Sequence, residues 1–514
     1  MPRVLLLAVA LLAAGSTAQP PVARPDAARP NVVVVFSDDH AFQGIGAYGG
    51  RLAALDPTPR LDRLAREGVL FRNAFVTNSI CAPSRAVLLT GRHSHLNGVR
   101  TNTDPFDGTQ VTFPKLLRSA GYQTALVGKW HLKSTPTGFD HWEIMPGQGI
   151  YYNPDFETAD GRVRYEGYAT DVTTDRAVRW LDEDRDPDRP FLLMVQHKAP
   201  HRPWEPGPET LDRFAGPIPE PPTLFDDHRG RTPAACEARM TVARDLYLHY
   251  DLKVPGADSS GNAWIDAYPD RFRERLTPSQ RATWDAAYGP ENEAFLTAGL
   301  QGDAATRWRY RRYLRDYLRT TASLDANVGR LLDALDARGL TESTVVVYTS
   351  DQGFFLGEHG WFDKRWMYEE SFRTPLIVRW PGHAPAGAER RQLVQNLDLA
   401  PTFLALAGVA VPEAIQGRSL TPLLTAEPPT SWRDALYYHY YESPSEHVVP
   451  RHEGVRTDRY KLVHYYERGE WELFDLARDP DEMRSAYDDP TYDRIRQRLT
   501  TALDSLRDVY AVDA

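Results

Sequence analysis

Acidic and amide side chains stand directly after two short apolar runs of the sequence. They are Asp38 and Asp39 after the run Asn31–Phe36, and Asp351 and Gln352 after the run Val345–Thr349. All four side chains offer oxygen atoms, the ligands that a hard cation such as calcium or magnesium prefers. Two adjacent carboxylates repel each other unless a cation lies between them. A turn or a helix cap would also explain Asp38-Asp39 alone, but the second polar pair favours a metal site.

Basic side chains occupy equivalent positions after two further apolar runs. They are Lys129 and His131 after Thr124–Val127, and His197 and His201 after Phe191–Val195. In open α/β sheets, ligands bind beyond the carboxyl ends of the strands. Solvation alone does not explain why four separate strands deliver polar groups to one edge, so the pattern predicts a functional site there.

Cys81 stands where a helix is predicted to begin. Pro83 suits the first helical position and Gly91 suits the C-terminal stop. The backbone N–H groups and the dipole of a helix N-terminus favour an anion, either a substrate oxyanion or a thiolate. A single cysteine can equally be a buried packing residue, and the spacing by itself does not decide between the two.

The elements that must position these residues alternate along the chain. Short β-branched or apolar runs predict strands at Asn31–Phe36, Thr124–Val127, Phe191–Val195, Val345–Thr349 and Leu376–Val378. Helical patterns lie at Pro59–Glu67, Phe113–Ala120, Thr170–Asp184 and from about Ala304 to Arg338. This alternation predicts a doubly wound α/β sheet.

Two segments depart from the alternation. Residues from about 205 to 301 are rich in proline, aromatic and charged residues, and we interpret them as an insertion over the sheet edge. Short strand-like runs and a final helix predict a smaller C-terminal α+β subdomain at 430–514. The main domain is then expected to span 30–425.

Composition narrows the class of protein. The chain has 514 residues, 42% hydrophobic and 25% charged, which is typical of a globular protein with a large core. Met1–Ala18 resembles an export signal, since Arg3 precedes an apolar run that ends in small residues, and we predict a periplasmic or secreted protein. A buried first helix is the alternative for that segment. No other stretch is long and apolar enough for a membrane span. The net charge of −10 argues against nucleic acid as a partner.

The segment Cys81-Ala82-Pro83-Ser84-Arg85, followed by Leu89-Thr90-Gly91-Arg92, resembles the signature of the type I sulfatases. Other segments agree with this family in order and spacing: Asp38-Asp39, Gly128-Lys129-Trp130-His131, Pro200-His201, Ser350-Asp351-Gln352-Gly353, and Lys364 ahead of Tyr368–Pro375. The resemblance covers nearly all of the chain after the export signal and is weakest in the 205–301 insertion. It implies an alkaline-phosphatase-like mixed sheet and the hydrolysis of sulfate esters.

The resemblance also implies residue roles. A maturation enzyme would oxidise Cys81 to formylglycine, whose hydrated form is the nucleophile. Asp38, Asp39, Asp351, Gln352 and the modified Cys81 would hold one calcium ion. Many relatives carry asparagine or histidine at the position of Gln352, whose carbonyl can still bind calcium.

The catalytic roles implied in the same way fall on six residues: Cys81, Arg85, Lys129, His131, His201 and Lys364. Arg85 and Lys129 would hold the formylglycine hydroxyls, and Lys364 would clamp the sulfate. His201 or Lys364 would protonate the leaving alcohol, and His131 would take the proton from the second hydroxyl. His197 is either a support for His201 or a core histidine. His95 is either a substrate contact or a surface histidine.

Two functions other than sulfate ester hydrolysis are compatible with the same fold. A phosphatase or phosphodiesterase of the same superfamily would need a serine or threonine nucleophile and typically histidine-rich zinc sites. A catalytically silent sugar-binding protein with the same fold should have lost at least one of the catalytic residues. Cys81 and the all-oxygen ligand set argue against the first alternative. All of the catalytic residues are present, which argues against the second.

The substrate expected from the resemblance is a sulfated saccharide. The chain looks most like the branch of N-acetylglucosamine-6-sulfatases and mucin-desulfating enzymes, which predicts exo-acting release of sulfate from a 6-sulfated hexosamine. A sulfated uronate or an algal polysaccharide is the alternative. An aromatic cluster could supply stacking faces for sugar rings, or it could simply pack the C-terminal sheet; its members are Trp432, Tyr437, Tyr438, Tyr440 and Tyr441.

Overall fold

The valine-rich run after Pro30 forms the central strand of the molecule. A computed structural model describes residues 29–512, and in it every residue of the strand Asn31–Ser37 is buried. Val32 and Val34 pack into one core cluster, and Val33 and Val35 pack into another. Successive side chains of a strand point to opposite faces, so this strand requires helices on both sides of the sheet.

Eighteen strands occur in residues 29–512. In chain order they are β1 Asn31–Ser37, β2 Val69–Phe71, β3 Ala74–Phe75, β4 Gln123–Lys129, β5 His141–Met145, β6 Asp155–Thr158, β7 Gly161–Arg164, β8 Phe191–Gln196, β9 Thr344–Ser350, β10 Phe355–Leu356, β11 Phe362–Asp363, β12 Leu376–Arg379, β13 Ala388–Arg390, β14 Val394–Gln395, β15 Ala435–Tyr440, β16 His452–Thr457, β17 Tyr460–Tyr465 and β18 Glu470–Asp475.

Ten of these strands form one mixed sheet in the order β13-β2-β12-β9-β1-β8-β4-β5-β6-β7. The central five, from β9 to β5, are parallel, whereas β12 runs antiparallel to β9 and β6 runs antiparallel to β5. The carboxyl ends of β1, β4, β8 and β9 therefore meet at one edge, which is where ligands of such sheets bind.

Thirteen α-helices occur in the same residues. They are α1 Pro59–Glu67, α2 Cys81–Thr90, α3 Ser94–Asn97, α4 Phe113–Ser119, α5 Ala169–Arg179, α6 Pro233–Glu237, α7 Ala263–Asp266, α8 Tyr268–Arg275, α9 Pro278–Ala298, α10 Gly302–Ala337, α11 Glu369–Phe372, α12 Leu399–Leu406 and α13 Asp493–Val509. Helices α1, α5 and α10 contribute to the core on one face of the large sheet, and α2, α4 and α12 to the core on the other. The sheet is thus doubly wound, as predicted.

The predicted strands and helices of the main domain are present, with shifts of a few residues at their ends. The expected helix Thr170–Asp184 is an α-helix only as far as Arg179 and continues as a π-helical turn at Trp180–Asp184. Helix α2 begins at Cys81 itself, two residues before the predicted first position at Pro83. Strands β5, β6 and β7 were not predicted, because they are short and half-exposed and carry no apolar run.

The four strands β15 to β18 form a separate antiparallel sheet, and α13 packs on one of its faces through Leu499 and Leu503. Residues 205–301 contain α6 to α9, of which α8 and α9 pack on the main domain through Phe272, Trp284 and Tyr288. The predicted export signal Met1–Ala18 lies outside the described residues. Within residues 29–512, no helix has the length and apolar character needed to cross a bilayer.

Candidate active site

Asp38 and Asp39 leave the end of β1 and lie fully buried at the sheet edge. The backbone of Asp39 is left-handed, with φ of 64°, which few residues other than glycine adopt without cost. Its N–H donates to Oδ1 of Asp351 at 3.0 Å, so the end of β9 holds the strained turn in place. The two polar pairs that follow β1 and β9 are therefore neighbours.

Four side chains bring potential ligand atoms within 4.8 Å of one another: Asp38, Asp39, Cys81 and His201. Oδ1 of Asp38, Oδ2 of Asp39 and Oε1 of Gln352 are buried and have no hydrogen-bond partner in the described residues. Buried carboxylate oxygens without partners are costly, and a bound cation would satisfy them. The oxygen-rich donor set suits a hard cation.

Asp351 differs from the other carboxylates in having both oxygens engaged. Oδ1 accepts from the N–H of Asp39, and Oδ2 accepts from Arg85 at 3.1 Å. Gln352 donates through Nε2 to Asp39 and leaves its carbonyl free. Both predicted ligands thus contact the acidic cluster, although the structure also places His201 within it.

Two buried lysines neutralise the acidic pair. Lys129, the last residue of β4, forms an ion pair with Asp38 and also donates to Oε1 of Gln148 at 2.5 Å. Lys364 forms an ion pair with Asp39, and its Nζ lies 3.3 Å from Sγ of Cys81. One cation therefore faces each carboxylate, and Lys364 links the acidic pair to the cysteine.

The ionisation of these groups follows from burial and charge. Burial opposes ionisation of Asp38, but the charges of Lys129 and Arg85 outweigh it and hold its pKa well below the usual range. Burial raises the pKa of Asp39 to about 6 despite the nearby Lys364. Burial likewise raises the pKa of the Cys81 thiol, so the unmodified residue is a poor source of thiolate.

Cys81 occupies the first turn of α2, and the whole helix is buried. The N–H of Ala82 donates to Oδ1 of Asn102 at 3.0 Å, and the N–H of Ser84 donates to the carbonyl of Ile80 at 3.1 Å. Gly91 ends the helix with φ of 62°, as the sequence predicted. The helix therefore presents Cys81 directly to the acidic cluster.

Arg85, one turn further along α2, spans the edge of the sheet. Its guanidinium donates to the carbonyl of Lys129 at 2.8 Å, to Oε1 of Gln196 at 2.9 Å and to Asp351. These contacts join the ends of β4, β8 and β9 to the helix that carries Cys81. Arg85 therefore fixes the relative positions of Cys81 and the carboxylates.

The histidines occupy different environments. Nε2 of His201 lies 3.7 Å from Asp39, and its Nδ1 contacts the carbonyl of Arg202 at 2.6 Å. His131 has a left-handed backbone and a buried Nδ1 without a partner in residues 29–512, and burial together with Lys129 keeps its pKa well below the usual range. His197 is buried beside β8, where burial lowers its pKa to about 3. His95 contacts Tyr441 and the carbonyl of Tyr510. It lines a cavity whose wall contains none of the residues of the acidic cluster.

Sequence reasoning missed several residues that support the site. Gln148 and Gln196 hold Lys129 and Arg85, but both are single glutamines without a local signal. Asp363 and Arg365 flank Lys364 and pair with each other, and both have left-handed backbones. Their charges and their position on either side of Lys364 are the sequence signal that would have identified them.

Comparisons with known proteins identify the family of the chain. Residues 30–409 match the family described as "Sulfatase", and residues 357–509 match the family described as "N-sulphoglucosamine sulphohydrolase, C-terminal". The chain is 45% identical to an N-acetylglucosamine-6-O-sulfatase of Bacteroides thetaiotaomicron, over 93% of this chain and 86% of that protein.

Solved structures agree in fold. One solved structure is described as a protein in complex with its substrate D-glucosamine-2-N,6-O-disulfate. That protein is 45% identical to this chain in sequence, and the two structures align with a TM-score of 0.89 over 94% of this chain and 98% of that chain. A phosphonate monoester hydrolase of Agrobacterium radiobacter has a TM-score of 0.69 at 22% identity, covering 94% of this chain and 96% of that one, which shows a shared fold alone. The predicted alkaline-phosphatase-like mixed sheet with a small C-terminal sheet subdomain is confirmed. With its family match, its relatives and its edge of buried carboxylates around Cys81, the chain belongs to the sulfatase family and is a sulfuric ester hydrolase.

Proposed function

We propose that this sulfatase releases the 6-sulfate of a terminal glucosamine-type sugar. The observation that carries the proposal is the 45% identity with an N-acetylglucosamine-6-O-sulfatase over 93% of the chain. The solved relative that binds D-glucosamine-2-N,6-O-disulfate supports the same substrate class. The position of the acidic cluster at the sheet edge is compatible with attack on a sulfate that enters from solvent.

We also propose that Cys81 is oxidised to formylglycine by a formylglycine-generating maturation enzyme, and that Asp38, Asp39, Asp351, Gln352 and residue 81 hold one calcium ion. The buried oxygens without partners on Asp38, Asp39 and Gln352 support the cation. When bound, calcium would neutralise sulfate oxygens as negative charge accumulates on them. The hydrated aldehyde would supply the nucleophilic hydroxyl.

The charged side chains around Cys81 would orient the reacting groups. Lys364, 3.3 Å from Sγ of Cys81, is placed to clamp the sulfate, and Lys129 and Arg85 both pair with Asp38. Their charges would stabilise the transition state without rearrangement, because their ion pairs and hydrogen bonds already fix them.

Proton transfer would involve the nearby histidines and Lys364. Nδ1 of His201 donates to the carbonyl of Arg202, so in the neutral ring Nε2 is an acceptor. This tautomer favours Lys364 as the group that protonates the leaving alcohol, with His201 accepting a hydrogen bond. His131, whose ring is neutral, would take the proton from the second hydroxyl of residue 81.

The substrate claim is tested by comparing kcat/KM of the matured enzyme on four sulfated compounds. They are 6-sulfated N-acetylglucosamine, 2-sulfated uronate, 4-sulfated galactosamine and an aryl sulfate. We expect the highest value on 6-sulfated N-acetylglucosamine. A higher value on the uronate or the aryl compound would overturn the substrate claim and leave the sulfatase assignment intact.

We further propose that the protein is exported to the periplasm or secreted. The support is the sequence of Met1–Ala18, with its apolar run and small residues before the expected cleavage point. Sequencing of the mature N-terminus from a fractionated culture tests the proposal. A cytosolic protein that retains Met1–Ala18 would contradict it.

A further inference from the structure

A cavity of 620 Å³ opens beside the candidate active site. Its wall includes His201 and Gln148, which contact Asp39 and Lys129 respectively. Half of the remaining wall comes from residues 250–275 of the insertion. A group attached to a sulfate at the acidic cluster would therefore extend into space shaped by the insertion.

The lining of this cavity is strongly cationic. The charged side chains are Arg164, Lys198, Arg202, Arg271 and Arg275, against one carboxylate, Glu274. Three of the arginines are neutralised elsewhere: Arg202 pairs with Asp251, and Arg164 and Arg275 pair with Asp155. Lys198 and Arg271 form no ion pair with any residue of 29–512, so their charge is available to a ligand.

Lys198 is the stronger evidence for an anion site, because only 3% of its surface is exposed. Its Nζ lies 4.7 Å from the ring centroid of Tyr151, and burial lowers its pKa to about 8. Lys129 and the carboxylates of Asp38, Glu205 and Asp39 act on it only from beyond ion-pairing distance. A buried ammonium without a carboxylate partner is costly for folding, and such a group is retained more readily where it meets an anion.

The insertion adds an aromatic face to the lining of the same cavity. Trp264 is 55% exposed, and the guanidinium of Arg271 lies 5.1 Å from its ring centroid. Tyr268 packs against both Trp264 and Tyr250, which holds the indole in position. An exposed indole that lines one cavity with two cations free of ion pairs suits a sugar ring that carries a negative group.

We propose that Lys198 and Arg271 form a second anion subsite, with Trp264 as the platform for the sugar ring, and that it binds a further acidic group of the same saccharide. The acidic group is a second sulfate on the hexosamine or the carboxylate of an adjoining uronate, which share the chemistry that Lys198 and Arg271 recognise. The proposal rests on the proposed function, because it places the 6-sulfate at the acidic cluster. The insertion, which supplies Arg271 and Trp264, would then act together with Lys198 to select highly charged substrates.

The test compares selectivity in Lys198→Met and Arg271→Gln with that of the wild type. The substrates are 6-sulfated N-acetylglucosamine, glucosamine 2-N,6-O-disulfate, and 6-sulfated N-acetylglucosamine linked to a uronate. Loss of a charge-assisted contact should lower kcat/KM on a doubly charged substrate, relative to the singly charged one, roughly 10- to 100-fold for Lys198→Met. The effect of Arg271→Gln should be smaller, because Arg271 is exposed to solvent. Which doubly charged substrate is affected identifies the acidic group.

The matched control is Arg273→Gln. Arg273 lies on helix α8, as Arg271 does, but it pairs with Asp285 and does not line the cavity. It should leave the selectivity ratio unchanged. An unchanged ratio in both Lys198→Met and Arg271→Gln, with both doubly charged substrates, would overturn the subsite.

A binding measurement separates this proposal from the proposed function. Calorimetry with glucosamine N-sulfate and with N-acetylglucosamine linked to a uronate, neither of which carries the 6-sulfate, requires no turnover. We expect the wild type to bind one of these two sugars more tightly than Lys198→Met does. Equal affinity for both sugars, or no binding of either to the wild type, would contradict the subsite, whereas wild-type inactivity on every 6-sulfated sugar would contradict the proposed function alone.

Discussion

The large sheet and the small C-terminal sheet both bury carboxylates, but the surroundings of those carboxylates differ. At the edge of the large sheet, Asp38 and Asp39 each keep one buried oxygen without a hydrogen-bond partner in residues 29–512. In the C-terminal subdomain, Glu472 accepts from Tyr368 at 3.0 Å and from Tyr465 at 2.8 Å, and also from Thr232. Neighbouring buried oxygens that lack partners suit a bound cation, whereas the satisfied oxygens of Glu472 belong to a structural network.

The backbone shows a related difference. Asp39, His131, Asp363 and Arg365 around the acidic cluster have positive φ, whereas the non-glycine residues with positive φ in the C-terminal subdomain, Val448, Glu482 and Ala511, lie outside its strands. Residues other than glycine adopt this conformation at a cost that the surrounding structure must offset, and such residues concentrate at functional sites. The comparison teaches that a high content of polar and aromatic residues does not by itself mark a site.

The aromatic cluster of the C-terminal subdomain belongs to the structural side of this comparison. Tyr437, Tyr438 and Tyr440 are fully buried, and the hydroxyl of Tyr437 donates to Glu453 at 2.8 Å. Trp432 is partly buried against the main core. Of the two readings of these residues, packing of the sheet is the one that the burial of these three tyrosines supports.

The largest effect is expected from Cys81→Ala. Loss of the nucleophile should lower kcat at least roughly 10⁴-fold while thermal unfolding changes little, because the removed atom is a single sulfur. Peptide mass spectrometry of active wild-type protein should show an aldehyde at position 81 that reacts with hydrazines. Cys236→Ala is the control, since Cys236 is exposed. Wild-type turnover in Cys81→Ala, or only unmodified cysteine in fully active enzyme, would contradict the mechanism.

Metal removal is expected to have the next largest effect. Chelator-treated enzyme should lose activity and regain it with calcium. At 100 times its Kd, calcium should increase the free energy of unfolding by about 2.7 kcal/mol and so raise the melting temperature. Asp38→Asn should lose this thermal response, because Oδ1 of Asp38, which has no hydrogen-bond partner in the described residues, would no longer belong to a charged carboxylate. Restoration by zinc alone, with calcium inert, would favour the phosphatase interpretation.

The smallest effect is expected in the C-terminal sheet, and on stability alone. Glu472→Gln should lower the free energy of unfolding by about 1–3 kcal/mol, since it weakens charge-assisted hydrogen bonds from buried hydroxyls. The kcat/KM of the folded protein should not change. The exposed Glu467, which pairs with Arg451, supplies the control Glu467→Gln, with a cost below about 1 kcal/mol. A large fall in kcat/KM for Glu472→Gln would break the comparison, because it would couple the subdomain to the chemistry.

The sequence determined the central strands and the positions of the polar residues that follow them. A β-branched run such as Asn31–Phe36 can be buried on both faces, and residues directly after parallel strands reach one edge whatever the details of packing. The signature around Cys81 likewise indicated the family before any contact was known. These conclusions depend on the local sequence pattern alone.

Only the tertiary structure decided which groups meet. Lys129 reaches Asp38 across 91 residues, and Lys364 reaches Asp39 across 325, so no local pattern could assign one lysine to each carboxylate. The proximity of His201 to the acidic pair, the support from Gln148 and Gln196, and the cavity beneath the insertion are of the same kind. Such contacts arise from the packing of distant segments, and packing is set by shape and burial in three dimensions rather than by spacing along the chain.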